Sequence, residues 1–242
     1  MIIIKMELYN NDCLEVMKDF SNNSIDLLFC DLPYGQSKCD WDITIDLELF
    51  WKEVNRICKL ECPMIFTTTT KFGVSLINSN PKNFKYDLVW VKSTSSGFLQ
   101  AKKMPMRKHE MIYVFYRKLP LYDLSSHSVT ILNSFSGMSN SKTNILYGDK
   151  PKSVQNKQYD PPLPNSVLEI KSKKGSHSTQ KPTELIKWIL KYYSKENDVV
   201  LDPTMGSGST GIACKEMNRK FIGIEKDEKI YKNAIERLNI II

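Results

Sequence analysis

Short apolar runs that end on an acid alternate along this chain with stretches whose apolar residues recur at helical spacing. Ser24 to Cys30 is mostly apolar and stops at Asp31, Val199 to Leu201 stops at Asp202 and Pro203, and Phe221 to Ile224 stops at Glu225. Runs this short, without apolar–polar alternation, suit strands buried on both faces. Ile2 to Tyr9, Met64 to Thr69, Phe84 to Val91 and Met111 to Tyr116 read as further strands. Helices are predicted over Cys13 to Phe20, Asp46 to Leu60, Phe72 to Ile77, Ser209 to Met217 and Asp227 to Leu238. Another begins at Pro182, a good first helical residue, with Leu185, Ile186, Ile189, Leu190 and Tyr193 on its buried face. Strands alternating with helices predict an α/β fold with a doubly wound, mostly parallel sheet.

This pattern fades from Lys118 to Lys174, where serine, asparagine, proline and lysine dominate. Tyr159 to Pro164 cannot form regular helix. Loops of this length inside a domain are functional or disordered, so an insert is expected at 118–174, between halves at 1–117 and 175–242. The 242 residues suffice for one large core with a smaller inserted lobe. No apolar run is long enough to span a bilayer, and Met1 to Lys5 lacks the layout of a signal peptide. The six cysteines form no C-x-x-C pair and stand far from the three histidines, so no metal site is expected. Scattered cysteines fit reduced thiols in an intracellular compartment. A net charge of +7 points weakly to a polyanionic partner.

Asp198 to Glu225 carries the first candidate chemistry, as strand, glycine turn, helix, strand and acid. In open α/β sheets a ligand sits beyond the carboxyl ends of the strands, where Asp202, Gly206, Gly208 and Glu225 fall. Gly206, Gly208 and Gly211 satisfy G-x-G-x-x-G, with Glu225 near the spacing of a dinucleotide-site ribose acid. The same unit fits S-adenosylmethionine, with Asp202 near the sulfonium amino acid and Glu225 on the ribose hydroxyls. This stretch alone leaves both cofactors open.

Asp31-Leu32-Pro33-Tyr34 is the second candidate. It sets a carboxylate, a backbone carbonyl and an aromatic face together at a strand end. The Asp31 carboxylate and Pro33 carbonyl can accept both hydrogens of an exocyclic amine, localising the nitrogen lone pair. Tyr34 would stack on the base, a contact worth about 1–3 kcal/mol in nucleic-acid sites. A base inside a duplex must be flipped out to reach such a clamp.

Together the two stretches resemble the amino-group DNA methyltransferases, which methylate adenine N6 or cytosine N4, in the beta order of motifs. The resemblance covers nearly the whole chain outside 118–174 and makes that segment a target-recognition insert in a Rossmann-like methyltransferase fold. It assigns Asp31, Pro33 and Tyr34 to catalysis and S-adenosylmethionine as cofactor. It assigns cofactor binding to Asp202, Pro203, Gly206, Ser207, Gly208, Ser209 and Glu225. His177, Thr179, Gln180, Lys181 and Pro182 match a further cofactor segment, and Asp12 and Cys13 one that contacts the cofactor's adenine. Leu32 and Ser209 depart from the family's usual proline and threonine. In this family an acid at the first catalytic position goes mostly with adenine, which favours N6 over cytosine N4. Double-stranded DNA is the implied partner; a cognate restriction enzyme and a homodimer are compatible with it. A non-catalytic DNA-binding relative is the rival. A dehydrogenase would explain Gly206 to Glu225 but neither Asp31 to Tyr34 nor His177 to Pro182. Trp41 and Asp42 fit a base or cofactor pocket or plain packing. Lys102, Lys103, Arg107 and Lys108 fit phosphate contacts or a solvated loop.

Overall fold

The computed structural model describes residues 5–35, 44–132, 156–171 and 180–238. In chain order the elements are β1 (Met6–Tyr9), α1 (Cys13–Met17), β2 (Leu27–Cys30), α2 (Leu47–Ile57), β3 (Met64–Thr68), α3 (Thr70–Ser79), β4 (Phe84–Ser96) and β5 (Arg107–Phe115). There follow β6 (Ser128–Leu132), β7 (Asn156–Asp160), β8 (Val167–Glu169), α4 (Thr183–Tyr193), β9 (Val199–Asp202), α5 (Ser209–Glu216), β10 (Lys220–Ile224) and α6 (Glu228–Leu238).

Met1–Tyr122 and Ser166–Ile242 form the larger unit. Its eight-stranded sheet has the order β1-β10-β9-β2-β3-β5-β4-β8. β5 runs antiparallel to both neighbours, and every other pairing is parallel. After β2 the chain crosses through α2 to β3, and after β9 it crosses through α5 to β10, which lies on the other side. The paired strands β2 and β9 are therefore a topological switch point, and a crevice opens at their carboxyl ends. Asp31 and Asp202 occupy those two ends.

The apolar runs lack alternation because helices cover both faces. Leu28 and Cys30 join a core cluster with Met17, Phe50, Val54 and Leu76 from α1, α2 and α3. Leu27 and Phe29 are equally buried but point to the opposite face. Trp51, Phe66 and Phe115 interlock with ring centroids 5.2–5.5 Å apart. Each such buried ring contributes about 2–3 kcal/mol of transfer free energy. Side-chain caps set the helix starts: Asp46 accepts the Glu48 and Leu49 N–H groups ahead of α2, and Thr69 accepts that of Phe72 in α3.

Several boundaries differ from the sequence reading. α1 stops at Met17 rather than Phe20, and α3 is longer than Phe72–Ile77 because Thr69 caps it. Pro182 has extended backbone (φ −63°, ψ 132°) and caps α4 instead of opening it. β4 and β5 extend well past their apolar portions. β8 lies within the expected insert yet pairs with β4, anchored by Leu168, which is 5% exposed. The smaller compact unit is Asp123–Asn165, narrower than 118–174; it contains the antiparallel pair β6 and β7. Ile2, Trp41, Asp42, His177, Thr179 and Ile240 to Ile242 lie outside the described residues. No described helix is long and apolar enough to cross a membrane.

Candidate active site

The turn after β9 is built by its own hydrogen bonds. Asp202 is 4% exposed and accepts the Thr210 hydroxyl at 2.5 Å and the Thr204 N–H at 3.2 Å. Burial pushes its carboxyl up to about 7 despite those bonds, and the charges of Asp31 and Glu225 act in the same direction. Gly206 and Gly208 have φ of 51° and 79°, the left-handed region that L side chains rarely adopt. This turn aims the Gly206 N–H at Glu225 Oε2, 3.0 Å away. Glu225 also accepts the Asp227 N–H at 2.8 Å, and burial raises its pKa. The Ser207 hydroxyl and carbonyl are both held by Arg237.

Asp12 caps α1 through the Leu14 N–H at 2.9 Å, and its second oxygen lies 3.0 Å from Lys226 Nζ. Burial, then the adjacent Asp12 charge, pushes the Cys13 thiol up to about 12. The Cys13 side chain is 6% exposed, and its thiol stays protonated at neutral pH.

Asp31 gathers the most contacts. Its Oδ1 accepts the Thr67 and Tyr34 hydroxyls, each at 2.6 Å, and its Oδ2 accepts Lys181 Nζ at 2.6 Å. Lys181 lies 3.4 Å from Glu110, which Lys92 approaches to 3.1 Å on its other oxygen. Burial opposes the charge on Lys181, but Asp31 and Glu110 outweigh it and raise its pKa. Burial, followed by the Asp31 charge, raises that of the Tyr34 phenol. The Tyr34 ring packs against Phe72 with centroids 5.3 Å apart, its hydroxyl tied back to Asp31. Among the described residues no donor takes the Pro33 carbonyl. Leu32, which departs from the family's proline, is 3% exposed and serves the core. Thr204 joins the two halves by donating its hydroxyl to the Asp31 carbonyl at 3.1 Å.

All of this converges on one cavity of about 720 Å³. Asp12, Cys13, Asp31, Pro33, Tyr34, Gln180, Lys181, Asp202, Pro203, Gly206, Ser207, Ser209 and Glu225 line it. Gly208 shapes the turn from behind, and Pro182 caps α4. Two buried polar atoms on the cavity wall, Ser209 Oγ and Gln180 Oε1, have no hydrogen-bond partner. An orphaned buried polar group costs about 1–3 kcal/mol, so both fit atoms that await a ligand. No group of residues suited to a metal ion occurs among the described residues. Sequence reasoning missed Thr67, Glu110, Lys92 and Thr204, because nothing in local periodicity reports which distant polar groups meet.

The model of the N6/N4 DNA methylase family matches residues 25–236. The chain belongs to this DNA methylase family. Among its curated relatives is the type II methyltransferase M.HindIII of Haemophilus influenzae, 26% identical over 96% of this chain and 95% of the relative. The DNA adenine methyltransferase YhdJ of Escherichia coli is 28% identical over 96% of the chain and 82% of its own. The M1.HpyAVI–SAM complex superposes with a TM-score of 0.63 at 21% identity, covering 97% of this chain and 100% of that one. The cytosine-N4-specific PvuII methyltransferase gives 0.70 at 16% identity, covering 96% and 86%. In this DNA methylase, the Asp31–Tyr34 turn and the Asp202–Glu225 unit lie on the two sides of one switch point.

Proposed function

We propose that this DNA methylase transfers a methyl group from S-adenosylmethionine to N6 of an adenine flipped out of DNA. One observation carries the reading: the Asp31–Tyr34 turn and the Asp202–Glu225 unit wall the same cavity. When bound, the cofactor supplies an electrophilic methyl group. Asp202, Gln180, Ser209 and Glu225 would hold it, with Asp12 and Cys13 at its adenine end. Asp31 and the Pro33 carbonyl would accept the two amine hydrogens of the target. Tyr34 would flank the base. Asp31 need not be a strong base, because the amine becomes acidic only after attack. Adenine over cytosine is supported by the acid at position 31 and by the name of the YhdJ relative. Nucleoside mass spectrometry of DNA exposed to the protein should show N6-methyladenine. N4-methylcytosine in its place would overturn the adenine assignment alone. Sequencing the methylated positions would reveal the recognition site. The reading leaves room for a cognate restriction enzyme and a homodimer, and places the protein inside the cell with its DNA.

Asp202 makes cofactor affinity pH-dependent. Below about 7 this carboxyl is largely protonated in the free protein. A cation bound beside it favours the ionised form, so binding releases a proton. Affinity should therefore rise from pH 6 to pH 8, by at most about tenfold per unit, and level off above. Calorimetry in buffers of different ionisation enthalpy reads the released proton directly, and Asp202→Asn should flatten the profile. Equal affinity at pH 6 and pH 8 in the wild type would remove Asp202 from this role.

We assign sequence choice to the segment at 118–174, whose compact part is Asp123–Asn165. Phosphate contacts give affinity but no sequence information, so a separate base-reading surface is required. Exchanging this segment with that of a relative of different specificity should move the methylated site. An active chimera with an unmoved site would count against it.

A further inference from the structure

Every residue from Ser93 to His109, the outer ends of β4 and β5 together with the link between them, is exposed. β4 and β3 both run against β5, so β4 ends on the same edge of the sheet as β2 and Asp31. The link is an ordered arm. Ser96 still pairs with Arg107, Gly97 turns the chain at φ 89°, and Phe98–Gln100 form one 3-10 turn. At this tip Phe98 is 81% and Leu99 95% exposed, with Met104 and Met106 exposed behind them. Single exposed apolar residues are ordinary, but a cluster on a projecting tip marks an interaction site. Lys102, Lys103, Arg107 and Lys108 flank it, and no acid occurs between Ser93 and His109. The root of the arm is fixed at the active site, where Lys92 and Glu110 lead through Lys181 to Asp31.

We propose that this arm is a wedge for the DNA duplex. Phe98 and Leu99 enter the base stack at the gap left by the flipped base, while the flanking cations hold adjacent phosphates. Uniform positive charge complements a polyanion, and apolar side chains at an exposed tip can replace the stacking that a departing base gives up. The wedge rests on the DNA methylation reading and adds residues that neither contact the reacting atoms nor choose the sequence.

The test uses the full chain and its Phe98→Ala/Leu99→Ala variant, on duplexes carrying the site found by methylation sequencing. In one duplex the target base is paired; in the other it faces an abasic position. A wedge is needed only where pairing must be broken. The variant's kcat/KM should fall at least about 30-fold on the paired duplex and no more than about threefold on the abasic one. An equal loss on both, or none on either, overturns the proposal. A second readout needs no methyl transfer: closed circular DNA relaxed by a topoisomerase in the presence of the protein. The wild type should change the linking number and the variant should not, even if the target atom were misassigned. No change with the wild type, or the same change with both, also overturns the wedge. So does intact methylation by a variant that has instead lost binding to anionic vesicles, which would give the tip to a lipid surface.

Discussion

Asp31→Ala should lose methyl transfer by three orders of magnitude or more while keeping its affinity for S-adenosylmethionine within about threefold. The loss corresponds to about 4 kcal/mol of transition-state stabilisation. It is large because the carboxylate would be the charged acceptor of the amine, held by Thr67, Tyr34 and Lys181 in fixed geometry. Cofactor affinity survives because the residues assigned to the cofactor belong to other elements: Asp12 before α1, Gln180 before α4, and Asp202, Ser209 and Glu225 around β9, α5 and β10. Asp31→Asn is the sharper companion variant. It preserves shape but turns an amide toward Lys181 or toward the incoming amine. Single-turnover methylation and cofactor titration separate the two quantities. Transfer retained in Asp31→Ala would remove Asp31 from the reaction. Cofactor affinity lost in step with transfer would make it a binding residue.

What the sequence disclosed follows a physical line. β2, β9 and β10 from Phe221 onward lie between helices, so these runs are apolar and the next polar residue marks the end of each. In each case that residue is one of the site acids, which is why Asp31, Asp202 and Glu225 were all legible. The faces of α2 and α4 were legible for the same reason. The outer halves of β4 and β5 were not, because an arm solvated on both sides needs no hydrophobic alternation. β8 has one buried side chain in three residues and carries no pattern at all. The polar connections were equally silent. The strand reads as starting at Met111, yet His109 and Glu110 already lie within β5, and Glu110 reaches Lys92 and Lys181. Tyr34 was legible as a site residue, but not the bond tying its hydroxyl to Asp31.

Lys181→Met tests the placement hardest to foresee. The family resemblance assigns this lysine to cofactor binding, whereas its ammonium contacts Asp31 and Glu110 directly. Replacing it removes the cation that Asp31 and Glu110 share, and among the described residues Lys92 contacts only the other oxygen of Glu110. Removing one partner of a buried ion pair costs about 3–5 kcal/mol, and the partial exposure of Asp31 places this case near the lower end. In a domain of this size that should lower Tm by on the order of 6–12 °C. Lys181→Arg should recover much of it. Adding Glu110→Gln to Lys181→Met should recover part too, because it removes one of the stranded charges, and the non-additivity measures the coupling. The kinetic split decides the role. If Lys181 holds Asp31, kcat falls about 100-fold with little change in the KM for cofactor, as expected when an interaction needed only in the transition state is lost. If it serves the cofactor, that KM rises and kcat at saturation is preserved. The 2.6 Å contact with Asp31 favours the first outcome.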